Sequence, residues 1–324
     1  MEKLKQFINK YETNTLYILL ISLLAAMFFS ATFLINRSIS IDGGHWYWSG
    51  ALRFFFTLVL MSIVIILFKG SDFLKKILLD YKNNFIFWNI AGTLGFGVFY
   101  SMICFASDFS PAWMVATTWQ LTIIASLFVL AFYGQKLSKK IWFFTVLIFI
   151  GICLVNFSAF NIDEFKTLII GFVAVLIAAF AYPIGNQMVW EKKKKREETK
   201  SDKIEVLNNA FSKVFLLTLG SFPLWIVLFF VLGIDFLPNS GQISNVIMIS
   251  FLSGVVGGSL FLYARSKANT SKKIMMVDAC QSGEVIFTLI GEIIFLNLAI
   301  PRVYAIIGVI ITIFGLIVIT KVDK

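Results

Sequence analysis

Charge is scarce in this sequence. Only 14% of its 324 residues are Asp, Glu, Lys or Arg, against roughly a quarter in ordinary soluble proteins. It has a single His, three Cys and five Pro. An odd set of cysteines (Cys104, Cys153 and Cys280), each inside an apolar stretch, argues against a disulfide framework or a metal cluster. No metal-ligand spacing, nucleophile elbow or phosphate-binding loop is present, so no metal, cofactor or enzymatic activity is expected. What fills the chain is apolar. Hydrophobic residues make up 59% of it, 36 are Phe, and the mean hydropathy is +0.86. Uninterrupted apolar runs of about 20 residues recur from end to end, each matching the roughly 30 Å of bilayer hydrocarbon. They do not alternate, which excludes a barrel and leaves helices.

The apolar windows predict an all-α integral membrane protein with ten transmembrane helices, at 15–36, 46–68, 85–107, 111–133, 140–158, 167–190, 209–232, 243–264, 274–296 and 302–320. The break at Phe109-Ser110-Pro111 reads as a tight hairpin between two spans. Lys and Arg then set the orientation. One side collects Lys3, Lys5, Lys10, Lys69, Lys75, Lys76, Lys82, Lys136, Lys139, Lys140, the run Lys192–Arg196 with Lys200 and Lys203, then Arg265, Lys267, Lys272, Lys273, Lys321 and Lys324. The other side has Arg37, Lys166 and Arg302. Both termini are therefore expected in the cytoplasm, in a multi-pass protein of a bacterial-type inner (plasma) membrane. The formal charge of +10 is a topology signal and does not predict a nucleic-acid partner. The first run begins after Thr13-Asn14 and is too long for a signal-peptide core, so it should remain as the first span.

The charged stretch 191–203 divides the spans five and five. The halves align. Leu24, Ala26 and Phe28 fall on Leu176, Ala178 and Phe180; Arg53 falls on Lys213, Gln120 on Glu284, and Gly151 on Gly315. An odd number of spans per half requires the second to insert upside down, as in transporters built on inverted repeats. The expected organisation is a cytoplasmic segment 1–14, a first five-helix repeat 15–158, an extracytoplasmic loop 159–166, a second repeat 167–320 containing a cytoplasmic charged loop 191–208, and a cytoplasmic tail 321–324.

With Arg53 on the second span, Pro111-Ala112 opening the fourth, Gly291-Glu292 late in the ninth and glycines (Gly308, Gly315) in the last, the chain resembles the drug/metabolite transporter superfamily, in its EamA-like and multidrug-resistance efflux branches. Two features depart from that pattern. Gln135 stands where a Glu after Gly is usual, and the first span has no counterpart of the acid found in the small four-helix multidrug pumps. Either a proton-coupling acid sits elsewhere, or coupling does not use protons at all.

An ionisable group at membrane depth costs several kcal/mol and is a functional hypothesis by default. The ninth span has Asp278, Gln281, Ser282, Glu284, Thr288 and Glu292. At about 100° per residue from Asp278, Glu292 falls near about −40°, Gln281 about −60°, Thr288 about −80° and Glu284 about −120°. Such a stripe lines a water-accessible path. Glu284 is closest to the midplane, and a carboxyl removed from water suits exchange of protons against substrate; the bland alternative is a structural pair. Arg53 either binds an anionic group or neutralises an acid of the ninth span. Lys213 is expected to snorkel. On the fourth span Thr117, Gln120 and Trp119 are candidate cavity residues. On the sixth, Tyr182-Pro183-Ile184-Gly185-Asn186 suggests a hinge at a binding site, with Tyr182 and Asn186 as candidate ligands, or else an ordinary kink. The glycine groups Gly92/Gly95/Gly97 and Gly254/Gly257/Gly258 read as close helix contacts.

The expected function is secondary transport by alternating access, most simply efflux of a small organic compound or drug coupled to protons. A metabolite carrier for an amino acid or anionic solute using Arg53 is the alternative, and a non-transporting scaffold or sensor a third. The expected partners are the lipid bilayer, a small-molecule substrate and protons; nothing in the sequence indicates a homo-oligomer.

Overall fold

The structure, a computed structural model, describes residues 14–134, 139–158, 165–199, 204–268, 273, 276–277 and 279–322. Every regular element among them is helical. Eight helices are long and apolar enough to cross a membrane. They are α1 (Thr15–Ile41), α2 (Trp46–Lys69), α3 (Phe85–Phe109), α4 (Ala112–Phe132) and α5 (Lys139–Ser158), then α6 (Lys166–Glu198), α7 (Ala210–Val231) and α8 (Ser240–Arg265). Two further apolar helices follow, α9 (Gly283–Phe295) and α10 (Val303–Val322). The 13 residues of α9 reach only about 20 Å, although a 3-10 turn at Cys280–Ser282 runs directly into it. The sequence-based boundary of 274 falls outside the described residues, with 273, 276–277 and 279 helical ahead of that turn. Expectations for the segment 1–13, Gln135, residues 159–164, Lys200, Lys203, Lys272, Asp278 and residues 323–324 fall outside the described residues.

Two hydrophilic stretches read as loops are helical. Ser71–Asn83 is an amphipathic helix whose Phe73 and Ile77 are buried against Val206, Leu207, Phe215 and Leu216. The charged run after Trp190 continues α6 to Glu198, and Arg196 in that run is buried against Asp80. The expected hairpin is present: Ser110 and Pro111 are extended between the end of α3 and the start of α4.

The bundle is turned inside out relative to a soluble protein. Large side chains such as Leu67, Phe68 and Phe132 are exposed along the spans, while Ser22, Thr117, Thr218 and Thr312 are fully buried. Lipid is as apolar as leucine, so association relies on close packing of small residues. Glycine supplies that at three crossings. A Cβ on Gly92 would lie 2.5 Å from the backbone of Gly220, so α3 touches α7 there. A Cβ on Gly185 would strike Gly95, so α3 also touches α6. Gly151 faces the carbonyl of Gly308 where α5 meets α10. Gly254 and Gly258 have no such neighbours, which corrects the reading of that second group, although Gly257 does meet Phe28 and Phe29.

Several of the helices carry irregularities. A π-helical stretch interrupts α3 at Thr93–Val98 and another interrupts α8 at Ser250–Gly257. α4 breaks its regular hydrogen bonding between Trp119 and Leu121, and α9 is preceded by its 3-10 turn.

Candidate functional site

Glu284 lies in the first regular turn of α9, just after the 3-10 turn, and is 8% exposed. The preceding Gly283 lies beside Leu23 and Ala26 of α1, with room for ordinary contact. Among the described residues no hydrogen bond or ion pair reaches the Glu284 carboxylate. Thr288, fully buried one turn on, donates to the Glu284 carbonyl at 2.6 Å and so serves the backbone. One turn before, Gln281 Nε2 is buried without an acceptor among the described residues.

Three rings from α3, α4 and α6 cluster together. Phe99 lies 4.8 Å from Trp119 and 5.0 Å from Tyr182, and Trp119 lies 5.6 Å from Tyr182, centroid to centroid. Tyr182 is within electrostatic reach of Glu284. Each ring sits at an irregularity. Phe99 follows the π stretch of α3, Trp119 ends the first segment of α4, and Tyr182 precedes Pro183 in α6. Pro183 cannot donate to the Ala179 carbonyl, and Thr122 of α4 donates to that oxygen instead at 3.3 Å. Asn186 donates to the Tyr182 carbonyl at 2.9 Å. The helix therefore runs on through Pro183 with its freed carbonyl satisfied.

The other expected residues are engaged locally. Thr117 donates to the Trp113 carbonyl at 2.7 Å, and Gln120 Nε2 to that of Ala116 at 3.3 Å. Asn156 donates to Thr118 Oγ1 at 2.9 Å, a contact inside the bundle.

Glu292 has a different role from Glu284. It is 2% exposed, and its two oxygens accept from the amides of Ala112 at 3.0 Å and Trp113 at 2.9 Å. These amides begin α4, where helical N–H groups have no internal partner and the helix dipole favours negative charge. Glu292 thus caps α4 from α9, tying Gly291-Glu292 to Pro111-Ala112. The charge that bears on it is Arg37, near the end of α1.

Asp278 of the ninth span lies outside the described residues, and Arg53 pairs with no acid among them. Its Nη1 donates to Thr32 Oγ1 at 3.2 Å and its Nη2 to Ser253 Oγ at 3.3 Å. Its guanidinium lies 4.1 Å over the Tyr100 ring. Tyr100 in turn accepts from Asn36 Nδ2 at 3.1 Å. The sequence reading missed Phe99, Tyr100, Thr32, Asn36 and Ser253. The visible signal was hydroxyl and amide groups inside apolar runs; their convergence on Arg53 needed the fold.

Residues 16–324 match the family described as "EmrE: Putative multidrug resistance efflux transporter". The chain is 31% identical over 313 residues to "Uncharacterized protein YjlA" of Bacillus subtilis (strain 168), with 92% of each covered. It is 31% identical over 279 residues to the "Uncharacterized 42.1 kDa protein in intracellular alkaline protease 3'region" of Shouchella clausii, covering 82% of this chain and 69% of that one. A solved structure described as "Crystal structure of protein" superposes with a TM-score of 0.61 at 13% identity, covering 95% of this chain and 99% of that one. At such identity the likeness is one of fold.

Proposed function

This chain belongs to the EmrE-like multidrug resistance efflux transporter family, within the drug/metabolite transporter superfamily, and from that premise we propose that it exports a small aromatic amine in exchange for protons at Glu284. The observation that carries this reading is a buried carboxylate with no protein partner among the described residues, within electrostatic reach of Tyr182 in the Phe99–Trp119–Tyr182 cluster. An organic cation finds its counter-charge in the acid and flat π-faces in the rings. In so dry a place the carboxylate is neutralised by a proton or by the amine, not by both. That exclusion is the coupling.

Transport proceeds by alternating access of two inverted five-helix repeats, with both termini in the cytoplasm of the plasma membrane. Supporting the repeat are the paired π stretches of α3 and α8 and the paired breaks at the aligned positions Gln120 and Glu284. Irregular segments at membrane depth are where such transporters form their sites. The lysine bias between loops supports the orientation.

Purified protein in liposomes tests the proposal. Phenethylamine is expected to be taken up in counterflow and to release protons on binding. Glu284→Gln should abolish both, and Glu284→Asp should retain a part. Transport indifferent to Glu284→Gln and to a collapsed pH gradient would show the proposal to be wrong.

A further inference from the structure

α5 and α10 run antiparallel and close on glycine. A Cβ on Gly151 would lie 2.8 Å from the Gly308 carbonyl oxygen, and one on Gly315 would lie 2.6 Å from Ile148 Cγ1. The same register carries Phe144, about one turn before Ile148, toward Val318, about one turn beyond Gly315. No glycine follows Gly315 in the sequence, so nothing continues the close contact. At that end lies a groove of about 560 Å³, lined by Lys139, Lys140, Phe143, Phe144 and Val318. Its walls come from both helices. Lys139 and Lys140 are exposed, and no acid among the described residues pairs with either. Neither α5 nor α10 contains an acid. Other lysines on the same side of the chain do have partners: Lys75 has Asp72, Lys76 has Glu205 and Lys193 has Glu197.

Two adjacent ammonium groups above an apolar groove call for a ligand that is anionic at one end and apolar at the other. Phe143 is 65% exposed, so the groove opens toward the acyl chains of the bilayer, while lysine stems carry their charges to its polar edge. The anion at that depth is a lipid phosphate. A zwitterionic lipid brings an ammonium of its own, which the two lysines repel; an anionic lipid brings none. Basic pockets between spans recognise anionic headgroups in this way. We propose that this end of the α5–α10 seam is a binding site for an anionic phospholipid, its phosphate on Lys139 and Lys140 and an acyl chain along Phe143, Phe144 and Val318. The site uses neither Glu284 nor the direction of transport, so it stands or falls separately from the proposed function.

The test is native mass spectrometry of the purified full chain, stripped of lipid in detergent micelles. The probes are phosphatidylglycerol, phosphatidylcholine with identical acyl chains, and water-soluble glycerol phosphate. Phosphatidylglycerol should bind about tenfold or more tightly than phosphatidylcholine, and glycerol phosphate should not be retained. Replacing both lysines, Lys139→Gln with Lys140→Gln, should weaken phosphatidylglycerol by about tenfold and leave phosphatidylcholine within about twofold. Lys194→Gln with Lys195→Gln removes the same charge from two exposed lysines of α6 and should change phosphatidylglycerol binding by no more than about twofold. Val318→Trp fills the groove without touching a charge. It should weaken both lipids, and it serves if the Lys139, Lys140 variant does not fold. Equal losses in the two lysine pairs would mean unselective attraction to a basic face and overturn the inference. Equal affinity for the two lipids, or a Val318→Trp protein that binds as before, would overturn it too. Glycerol phosphate held as tightly as the lipid would mean a simple anion site and refute the lipid occupant.

Discussion

Replacing Arg196 with Leu should destabilise the protein far more than removing an ordinary surface charge. The partner, Asp80, sits in the Ser71–Asn83 helix with its side chain 2% exposed, and the Arg196 side chain is 10% exposed. Arg196 Nη2 donates to Asp80 Oδ1 at 2.6 Å. The same oxygen accepts from Asn84 Nδ2 at 3.1 Å, and Oδ2 accepts from the indole of the fully buried Trp88 at 3.1 Å. Removing one member of a buried pair strands the other charge, at about 3–5 kcal/mol. Two neutral donors remain on Asp80, which puts Arg196→Leu near the low end, at about 3 kcal/mol. Asp80→Asn keeps an acceptor and loses the charge-assisted bond, for about 1.5–3 kcal/mol. Replacing both residues with Leu should cost less than the sum of the two single replacements, with a coupling of about 2 kcal/mol in the double-mutant cycle. The assay is reversible unfolding in mixed micelles, followed by tryptophan fluorescence. The exposed Lys76–Glu205 pair, 59% and 60% exposed, is the internal control at about 0–1 kcal/mol. If Arg196→Leu costs no more than Lys76→Ala, or the Asp80–Arg196 coupling fades in high salt as an exposed pair does, then the pair is not desolvated and the reasoning fails.

Glu292→Ala leaves the Ala112 and Trp113 amides unpaired and should cost about 2–4 kcal/mol; Glu292→Gln should cost less and leave proton release on phenethylamine binding intact, unlike Glu284→Gln. Gly185→Ala drives a methyl into the backbone of Gly95 and should destabilise by about 1–3 kcal/mol. Gly254→Ala meets nothing closer than Thr57 Oγ1 at 3.9 Å and should be neutral or stabilising by up to about 1 kcal/mol in the same unfolding assay. His45 Nδ1 accepts the Tyr47 amide at the start of α2 at 3.2 Å. Burial holds its pKa below the usual 6.5 against the opposing pull of Asp108. A depressed folded pKa gives stability that is full above the unfolded pKa and lost as pH falls through the folded value. His45→Asn, which keeps a capping acceptor, should flatten that acid-side loss in melting temperature measured between pH 7 and pH 5.

Helix positions along the chain were legible because a bilayer imposes one length and one solvent. α1 to α8 lie within a few residues of their apolar windows, apart from longer ends such as α1 to Ile41 and α6 to Glu198. The two misread segments were polar on average, and averaging hid their pattern. Phe73, Leu74, Ile77 and Tyr81 recur at helical spacing, but the lysines between them read as loop charge. Arg196 was counted among solvated charges because its partner is 116 residues away. The same blindness limits the site. Chemistry-bearing residues were named by type and depth, and depth alone ranked Glu284 first. It could not distinguish Glu292, whose amide partners are about 180 residues away, nor show that the arginine on the second span meets hydroxyls.

Glu284 and Glu292 make the sharper point. They lie about two turns apart on one helix, both buried, both at a cost that must be recovered. For Glu292 the recovery is local and complete: two amides at the start of α4 take both oxygens. For Glu284 the described protein offers Tyr182 of the ring cluster within electrostatic reach and no donor. A buried acid without a protein partner is stabilised only by something that comes and goes, a proton or a bound cation. The irregular turns around it have their own hydrogen bonds repaired, as Thr122 does for the carbonyl freed by Pro183. Repairing the backbone while leaving the carboxylate open is what separates a site from a packing defect, and it is why the coupling proposal rests on Glu284 alone.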